Sequence, residues 1–358
     1  MPHKVAVIDI KDKDVSKCVK QAFEAANLLP LINKSKKIYI HAPVGATLFH
    51  DGIPTEATYL DVELAEAIIN VCGEKPIIIY ETPATAHRNI ESLFEKLEYN
   101  KLEDKFPQLK VKCFKDDPEI LDNSVSFDYG FDYPPVILPE FLFNKENLII
   151  SFSNSKAPFS SSVAGFQGLP FSLSGKSLII GSLLFSKKNL MHFAFSDVGI
   201  GLKGFIIDAI RKIYDADVPC IGINGGHFAG ALIENVNVNP VNWDLLVISS
   251  SLGLADVVTA NLMGFEAKKV GFFNEMIKND LLPSDFSNID VIELGNGRSR
   301  IENQLKIDNP FLQKGTPITN RQWAFGLLKQ MSFGERLRIM GKTVPSIIKY
   351  KMTKKSKD

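Results

Sequence analysis

Short apolar runs, mostly β-branched, alternate along the chain with longer stretches in which apolar residues recur at helical spacing. Each apolar run is five to seven residues long and predicts a strand. The predicted strands are residues 4–10, 37–41, 76–80, 109–114, 147–152, 218–223, 244–249 and 290–294. The stretches between them predict helices at residues 15–26, from 58 onward, and at 86–97, 201–214, 254–263 and 270–281.

This order of strands and helices predicts an α/β fold. Strands that are apolar throughout, with helices between them, are typical of a mostly parallel sheet covered by helices on both faces, as in Rossmann-like folds. Ligands of such sheets bind at the carboxyl ends of the strands, near the point where the strand order reverses. Candidate site residues are therefore expected in the segments that directly follow strands.

The strand–helix pattern and the charge both divide the 358 residues into a body and a tail. Residues 1–300 carry the strand–helix pattern and form one α/β domain or two lobes, 1–150 and 151–300, whereas residues 301–358 form a basic helical tail. Basic and acidic residues number 41 each, but residues 321–358 hold ten basic and two acidic ones, which leaves a net −8 on the rest. An acidic body disfavours nucleic-acid binding. The tail predicts a peripheral contact with a membrane or a protein, or else a helix that packs on the body.

The cysteines and histidines give no metal motif. Four cysteines lie far apart, without the spacing of a zinc or iron–sulfur site, so no iron–sulfur cluster is expected. The histidines lack the spacing of a zinc site as well. No apolar run reaches membrane-spanning length, and the first residues lack the apolar core of a secretory signal. Unpaired thiols suit a reducing compartment, so the sequence predicts a cytoplasmic protein.

The glycine-rich segment Gly222-Ile-Asn-Gly-Gly-His-Phe-Ala-Gly230 follows a predicted strand and is the first candidate site. Glycines let a backbone come close to a ligand, and the amides of Gly225 and Gly226 can together bind an anion. Asn224 supplies a hydrogen-bonding amide, and His227 supplies a titratable group at the same edge. The alternative interpretation is a tight turn at the end of a strand, with a polar residue that caps it.

Three further candidates lie close to predicted strand ends. Lys156 comes just after the strand at 147–152, where its ammonium group can bind a carboxylate or a phosphate. His41 ends the strand at 37–41 and is a candidate for proton transfer. Asp256 lies in the first turn of a predicted helix, where it either caps the helix or faces the site. The alternatives are a solvated lysine and an ordinary hydrogen-bonded histidine.

Several of these segments resemble a family known as domain of unknown function 362. The strongest resemblance is in Ser250-Ser-Leu-Gly-Leu-Ala-Asp256 and Asn261-Leu-Met-Gly-Phe265, where the family has a segment that reads Ser-x-Asp-x-x-Ala-x-Asp and then Leu-Met-Gly. Ile223-Asn-Gly-Gly226 resembles a family strand that ends in Asp-Gly. Ser155-Lys-Ala-Pro158 stands where the family has Lys-Thr-His, and His41-Ala-Pro43 stands where it has Lys-Pro-Asn.

The resemblance covers roughly residues 37–297 and implies an α/β fold with ligand-binding residues at the strand ends. Two of these positions differ in chemistry from the family, because a lysine is replaced by His41 and an aspartate by Asn224. Many family members carry an appended ferredoxin-like module. This chain lacks the cysteines of that module, so the resemblance does not extend to iron–sulfur redox chemistry.

The sequence leaves two functions open. The first is an enzyme of small-molecule metabolism that binds a small anionic ligand at the strand ends, with Lys156 as the anchor. His41 or His227 would transfer a proton, and the amides of Gly225 and Gly226 would stabilise negative charge. The second is a non-catalytic protein that binds a partner or a membrane surface and has lost an ancestral activity. The altered family positions and the basic tail favour this alternative.

Overall fold

The computed structural model describes residues 4–44, 56–81, 90–114, 120, 124–127, 136–155, 178–179, 198–232 and 238–312. Within these ranges, eight strands form one mixed sheet covered by helices, which confirms the predicted α/β fold with a mostly parallel sheet. Every strand predicted from an apolar run is present and overlaps its prediction.

The strands are β1 (Lys4–Asp9), β2 (Lys37–His41), β3 (Ile77–Glu81), β4 (Leu109–Cys113), β5 (Ser124–Phe127), β6 (Val136–Pro139), β7 (Asn147–Ser153), β8 (Cys220–Leu232), β9 (Val238–Ser249) and β10 (Asp290–Leu294). The α-helices are α1 (Val15–Ala25), α2 (Leu29–Lys34), α3 (Val62–Cys72), α4 (Ile90–Lys96), α5 (Tyr99–Lys105), α6 (Val198–Asp215), α7 (Leu252–Leu262), α8 (Gly271–Lys278) and α9 (Gly297–Ile307). β5 and β6 pair with each other in a separate small sheet.

The main sheet has the strand order β10-β1-β9-β8-β7-β2-β3-β4. Neighbouring strands are parallel except at β9, which runs antiparallel to both β1 and β8. The carboxyl ends of the other seven strands therefore lie at one edge of the sheet. The hairpin of β8 and β9 continues past the last residues that pair with β7 and β1.

Apolar cores on the two faces hold the helices to the sheet. In β2, Ile38 and Ile40 join one core and Tyr39 joins the other, because alternate residues of a strand face opposite sides. Helices α1, α3, α4 and α5 contribute to the core on the Ile38 side, and α6, α7 and α8 to the core on the Tyr39 side. Burial on both faces explains why the strands read as continuous apolar runs.

The strand order reverses between β2 and β7. After β2 the chain passes through α3 to β3, and after β7 it passes through α6 to β8, on the other side of the sheet. These two helices pack on opposite faces. Because β2 and β7 are neighbours, a crevice between their carboxyl ends is where this architecture binds ligands. We call this place the switch point.

The glycine-rich segment is part of strand β8, so the predicted turn at its place is wrong. Residues 222–232 pair with β9, from Gly222 opposite Ser249 to Leu232 opposite Val238, with a bulge between Gly226 and Phe228. Glycine and asparagine favour turns locally. The segment forms a strand because it pairs with β9, from Ser249 back to Pro240, and a pattern within residues 222–230 alone does not show this pairing.

Helix α3 begins later than predicted. Thr58 ends a short 3-10 helix and is buried. Asp61 is the N-cap, because its carboxylate accepts from the amide of Glu63 at 2.7 Å and from that of Leu64 at 3.4 Å. In Thr58-Tyr-Leu-Asp61, where the helix was predicted to start, the last residue is therefore the cap.

Burial also sets the chemistry of two cysteines. Cys72 and Cys220 lie in opposite cores, and burial raises the pKa of each thiol to about 12. Both thiols are therefore neutral at physiological pH and have low reactivity.

No α-helix in the described ranges is long and apolar enough to cross a bilayer. The first residues of the predicted basic tail, 301–307, belong to α9. The strongly basic part, residues 321–358, lies outside the described residues.

Candidate ligand site at the switch point

Asn224 and Asp256 are joined by a buried hydrogen bond. Nδ2 of Asn224 donates to Oδ1 of Asp256 at 2.9 Å, and both side chains are inaccessible to solvent. Asn224 lies on β8 and Asp256 on α7, so the bond connects the sheet to a helix. Two residues predicted for the site, 32 positions apart in the sequence, therefore meet.

Asp256 is not the cap of its helix, which was one of the two predictions for it. Helix α7 begins at Leu252, and the hydroxyl of Ser251 caps it by accepting from the amide of Leu254 at 3.3 Å. Asp256 is the fifth residue of the helix. The helix starts earlier than the sequence pattern indicates because the serine, and not the aspartate, satisfies its first amides.

His41 lies at the carboxyl end of β2 and contacts Glu81 at the end of β3. Nε2 of His41 is 3.3 Å from Oε1 of Glu81, and both residues are buried. The imidazole also packs against the ring of Tyr80, with centroids 5.5 Å apart. Within the described part of the chain, no hydrogen-bond partner reaches the other ring nitrogen, Nδ1.

The end of β7 adds three buried polar residues, Ser153, Asn154 and Ser155. Among the described residues, neither Oδ1 of Asn154 nor Oγ of Ser155 has a hydrogen-bond partner. Buried polar atoms in proteins are nearly always paired. These atoms and Nδ1 of His41 lie at or just past the ends of the neighbouring strands β7 and β2, with Asn154 on the Leu64 side of the sheet and His41 on the Tyr80 side.

The register of the strands sets the size of the site. His41 lies opposite Ser151 of β7, and Ser153 lies opposite Asn224 of β8. With strands about 4.8 Å apart and a rise of about 3.3 Å per residue, the Cα atoms of His41 and Asn224 are about 12 Å apart. Ser155 lies about 13 Å beyond the level of His41 by the same rise. A molecule of metabolite size can span these distances.

Gly225 and Gly226 have backbone conformations that require glycine, with φ values of +113° and +131°. They lie opposite Leu246 and Leu245 in the β8–β9 ladder. A methyl group on Gly226 would lie 4.0 Å from Nδ2 of Asn154 and 3.3 Å from the side chain of Leu64. Gly226 therefore keeps β8 close to the end of β7 and to the start of α3.

His227 belongs to a second polar cluster, formed with β9 and α3. Its Nδ1 is 2.9 Å from Oδ1 of Asp244, and its Nε2 is 3.8 Å from Oε2 of Glu63. The side chain is 26% exposed. The contacts of His227 are thus with the hairpin and the first turn of α3, and not with His41 or Asp256.

Arg300 of α9 extends this second cluster and holds the helix to the sheet. Its Nη2 donates to the carbonyl oxygens of Trp243 at 2.7 Å and Asp244 at 3.2 Å. The same nitrogen donates to Oδ1 of Asp9, at the end of β1, at 3.1 Å. Lys13 lies 3.5 Å from the other oxygen of that carboxylate. Arg300 and Lys13 therefore both interact with groups of the protein itself.

Lys156 follows Ser155 directly in the sequence, but it lies outside the described residues. Its role as the anchor of an anion stays a prediction. No group of three histidine, cysteine, aspartate or glutamate side chains in the described ranges is arranged to hold a metal ion.

The sequence analysis missed Glu81, Asn154 and Ser155. A signal for them exists, because Glu81 ends a strand and the other two come directly after one. The rule that drew attention to His41 and Lys156 applies equally to these positions. Glu81 stands out only once the pairing of β2 with β3 brings it beside His41.

No family model, no curated protein and no solved structure matches the chain. The fold and the geometry of the site therefore carry the functional argument.

Proposed function

We propose that the chain binds a small anionic ligand at the switch point and acts on it as an enzyme of small-molecule metabolism. The observation that carries the proposal is the set of three buried polar atoms without partners among the described residues: Nδ1 of His41, Oδ1 of Asn154 and Oγ of Ser155. They belong to two neighbouring strand ends, at the place where sheets of this type bind ligands.

The site divides into groups that bind and groups that react. Ser155 can donate a hydrogen bond to an anionic oxygen, and Lys156, the next residue, supplies the positive charge. His41 supplies acid–base chemistry in this site. The bonded pair of Asn224 and Asp256 holds β8 against α7 and so keeps the wall of the crevice in place.

The proposal also covers the family of the protein and the cellular compartment in which it works. The resemblance of the strand-end segments to domain of unknown function 362 supports membership of that family, with His41 and Asn224 as changed positions. The four cysteines form no disulfide, which supports a reducing compartment such as the cytoplasm.

Lys156→Ala is expected to lower the affinity for a small phosphate ester by about tenfold to a hundredfold. A hydrogen bond to a charged group contributes about 1.5–3 kcal/mol, which corresponds to that loss. Isothermal titration calorimetry with propyl phosphate and inorganic phosphate measures the change. Lys36→Ala is the matched control, since Lys36 precedes β2 at the opposite edge of the sheet and pairs there with Glu146. Equal losses in both variants, or no binding by the wild type, would contradict the proposal.

Ser155→Ala is expected to weaken ligand binding without weakening the fold. Because Oγ of Ser155 has no described partner, its removal should leave the free energy of unfolding unchanged or raise it by up to about 1 kcal/mol. Urea unfolding and calorimetry with propyl phosphate measure the two effects. Ser249→Ala is the control, because its hydroxyl bonds to Lys4 and Ser251, and its loss should cost about 1 kcal/mol. A similar loss of stability in both variants would assign Ser155 to the structure alone.

A further inference from the structure

His41 is held at one ring nitrogen and unbonded at the other. Glu81 contacts Nε2 at 3.3 Å, the ring of Tyr80 lies beside the imidazole, and Nδ1 has no partner in the described residues. The ring is only 2% exposed, so bulk water does not replace the missing partner. Because the contact at Nε2 fixes the orientation of the buried ring, the unbonded Nδ1 has a fixed direction in which it can meet a ligand.

The contact with Glu81 bears on which nitrogen carries the proton. An ionised Glu81 carboxylate would only accept hydrogen bonds, which would make Nε2 of His41 the donor in this pair. In the neutral ring, Nδ1 then has a lone pair and no hydrogen, and it is an acceptor. Oδ1 of Asn154, the second atom without a partner, is an acceptor as well. Nδ1 of His41 therefore needs a hydrogen-bond donor, and Oδ1 of Asn154, on the other face of the sheet, needs a separate one.

We propose that Glu81 and His41 form a proton-transfer pair that works through Nδ1 of His41, and that the ligand presents a hydroxyl group to this atom. This inference rests on the proposed function and deepens it, because an anion without a hydroxyl would leave Nδ1 of His41 unpaired. A neutral hydroxyl is also the donor that costs least to bury beside the Tyr80 ring, since burying an additional charge carries a large desolvation cost. The ligand class is thus a hydroxylated anion.

The proton transfer balances within the site. Nδ1 takes the proton of the ligand hydroxyl, the O–H bond breaks, and its electron pair stays on the ligand oxygen. The ring becomes an imidazolium ion, whose charge is balanced by the carboxylate of Glu81, and the reverse step returns the proton. His41 is the catalytic residue in this step. Glu81 is a positioning residue, because it acts through the tautomer and orientation of the ring.

Nitrogen NMR of the full chain labelled with ¹⁵N-histidine tests the pair directly. We expect Nδ1 of His41 to be unprotonated and Nε2 protonated in the free protein, with the signals assigned through their loss in His41→Asn. In Glu81→Gln the charge is removed and the ring should populate both tautomers. Glu63→Gln is the control, since that glutamate lies by His227 and should leave the His41 signals unchanged. A protonated Nδ1 in the wild type, or an unchanged tautomer in Glu81→Gln, would overturn the inference.

Two matched ligands test the hydroxyl requirement. Glycerol 3-phosphate and propyl phosphate share the phosphate and the three-carbon chain and differ in the hydroxyls. We expect glycerol 3-phosphate to bind the wild type at least about tenfold more tightly, and the ratio to fall to about twofold or less in His41→Phe. Equal affinities in the wild type would overturn the inference and leave the proposed anion site standing. If neither ester binds, the proposed function fails, and the NMR result alone decides for or against the pair.

Discussion

Gly225→Ala is expected to lower the free energy of unfolding by about 4 kcal/mol, the largest effect of any single methyl group considered. The added Cβ would lie 2.0 Å from the carbonyl oxygen of Leu245, so backbone has to move in the β8–β9 ladder. The φ value of +113° adds strain for any residue with a side chain. Both effects act at the segment that connects the site to the hairpin.

Chemical unfolding followed by circular dichroism measures this loss. Gly73→Ala is the matched control, because Gly73 also has a positive φ, +67°, but no atom lies within 4 Å of an added Cβ. That variant should lose less, about 1–3 kcal/mol, from its backbone conformation alone (φ +67°, ψ −138°). A loss at Gly225 no greater than at Gly73 would show that β8 and β9 are not paired as described.

Asn224→Ala is expected to cost about 3 kcal/mol. The substitution removes a hydrogen bond to the carboxyl group of Asp256 in an environment without access to water, and a buried polar group that loses a partner costs about 1–3 kcal/mol. Since β8 and α7 depend on the same bond, Asp256→Ala should have a cost of similar size.

A double-mutant cycle tests whether the two residues act as a pair. The combined Asn224→Ala and Asp256→Ala variant should lose at least about 1.5 kcal/mol less than the sum of the single losses, because both substitutions remove the same hydrogen bond, which can be lost only once. Asp285→Ala provides a control partner, since this aspartate is exposed and bonds within its own turn, to Ser287. Additivity of Asn224→Ala and Asp256→Ala within about 0.5 kcal/mol would contradict the coupling.

The sheet could be predicted from the sequence because its strands are buried on both faces. A run such as Ile77-Ile-Ile-Tyr80 has no polar residue that would permit another placement. The strand order could not be predicted, because it depends on contacts between distant segments. The clearest case is β1, which lies between β9 and β10, although more than 200 residues separate it from either.

The sequence could indicate where in the fold the candidate site lies, but only some of the residues in it. His41 lies at the expected end of β2, whereas Asn224 lies within β8, opposite the last residue of β7, where it meets Asp256. Glu81 was missed because its role follows from the register of β2 and β3, which a single sequence does not give. His227 was grouped with Asn224 because they are neighbours in sequence, whereas the bulge after Gly226 and the pairing with β9 place its ring beside Asp244.

The position of β1 has a consequence for how the chain is made. Val5 pairs with Ser249 and Val291, so β1 gains its first neighbour in the sheet only after β9 has been synthesised. Until then its apolar, β-branched residues have no partner in the sheet, and such strands promote association between chains. Contacts so distant in sequence also slow folding. A nascent chain that stops before β9 would therefore expose β1 and is expected to depend on chaperones.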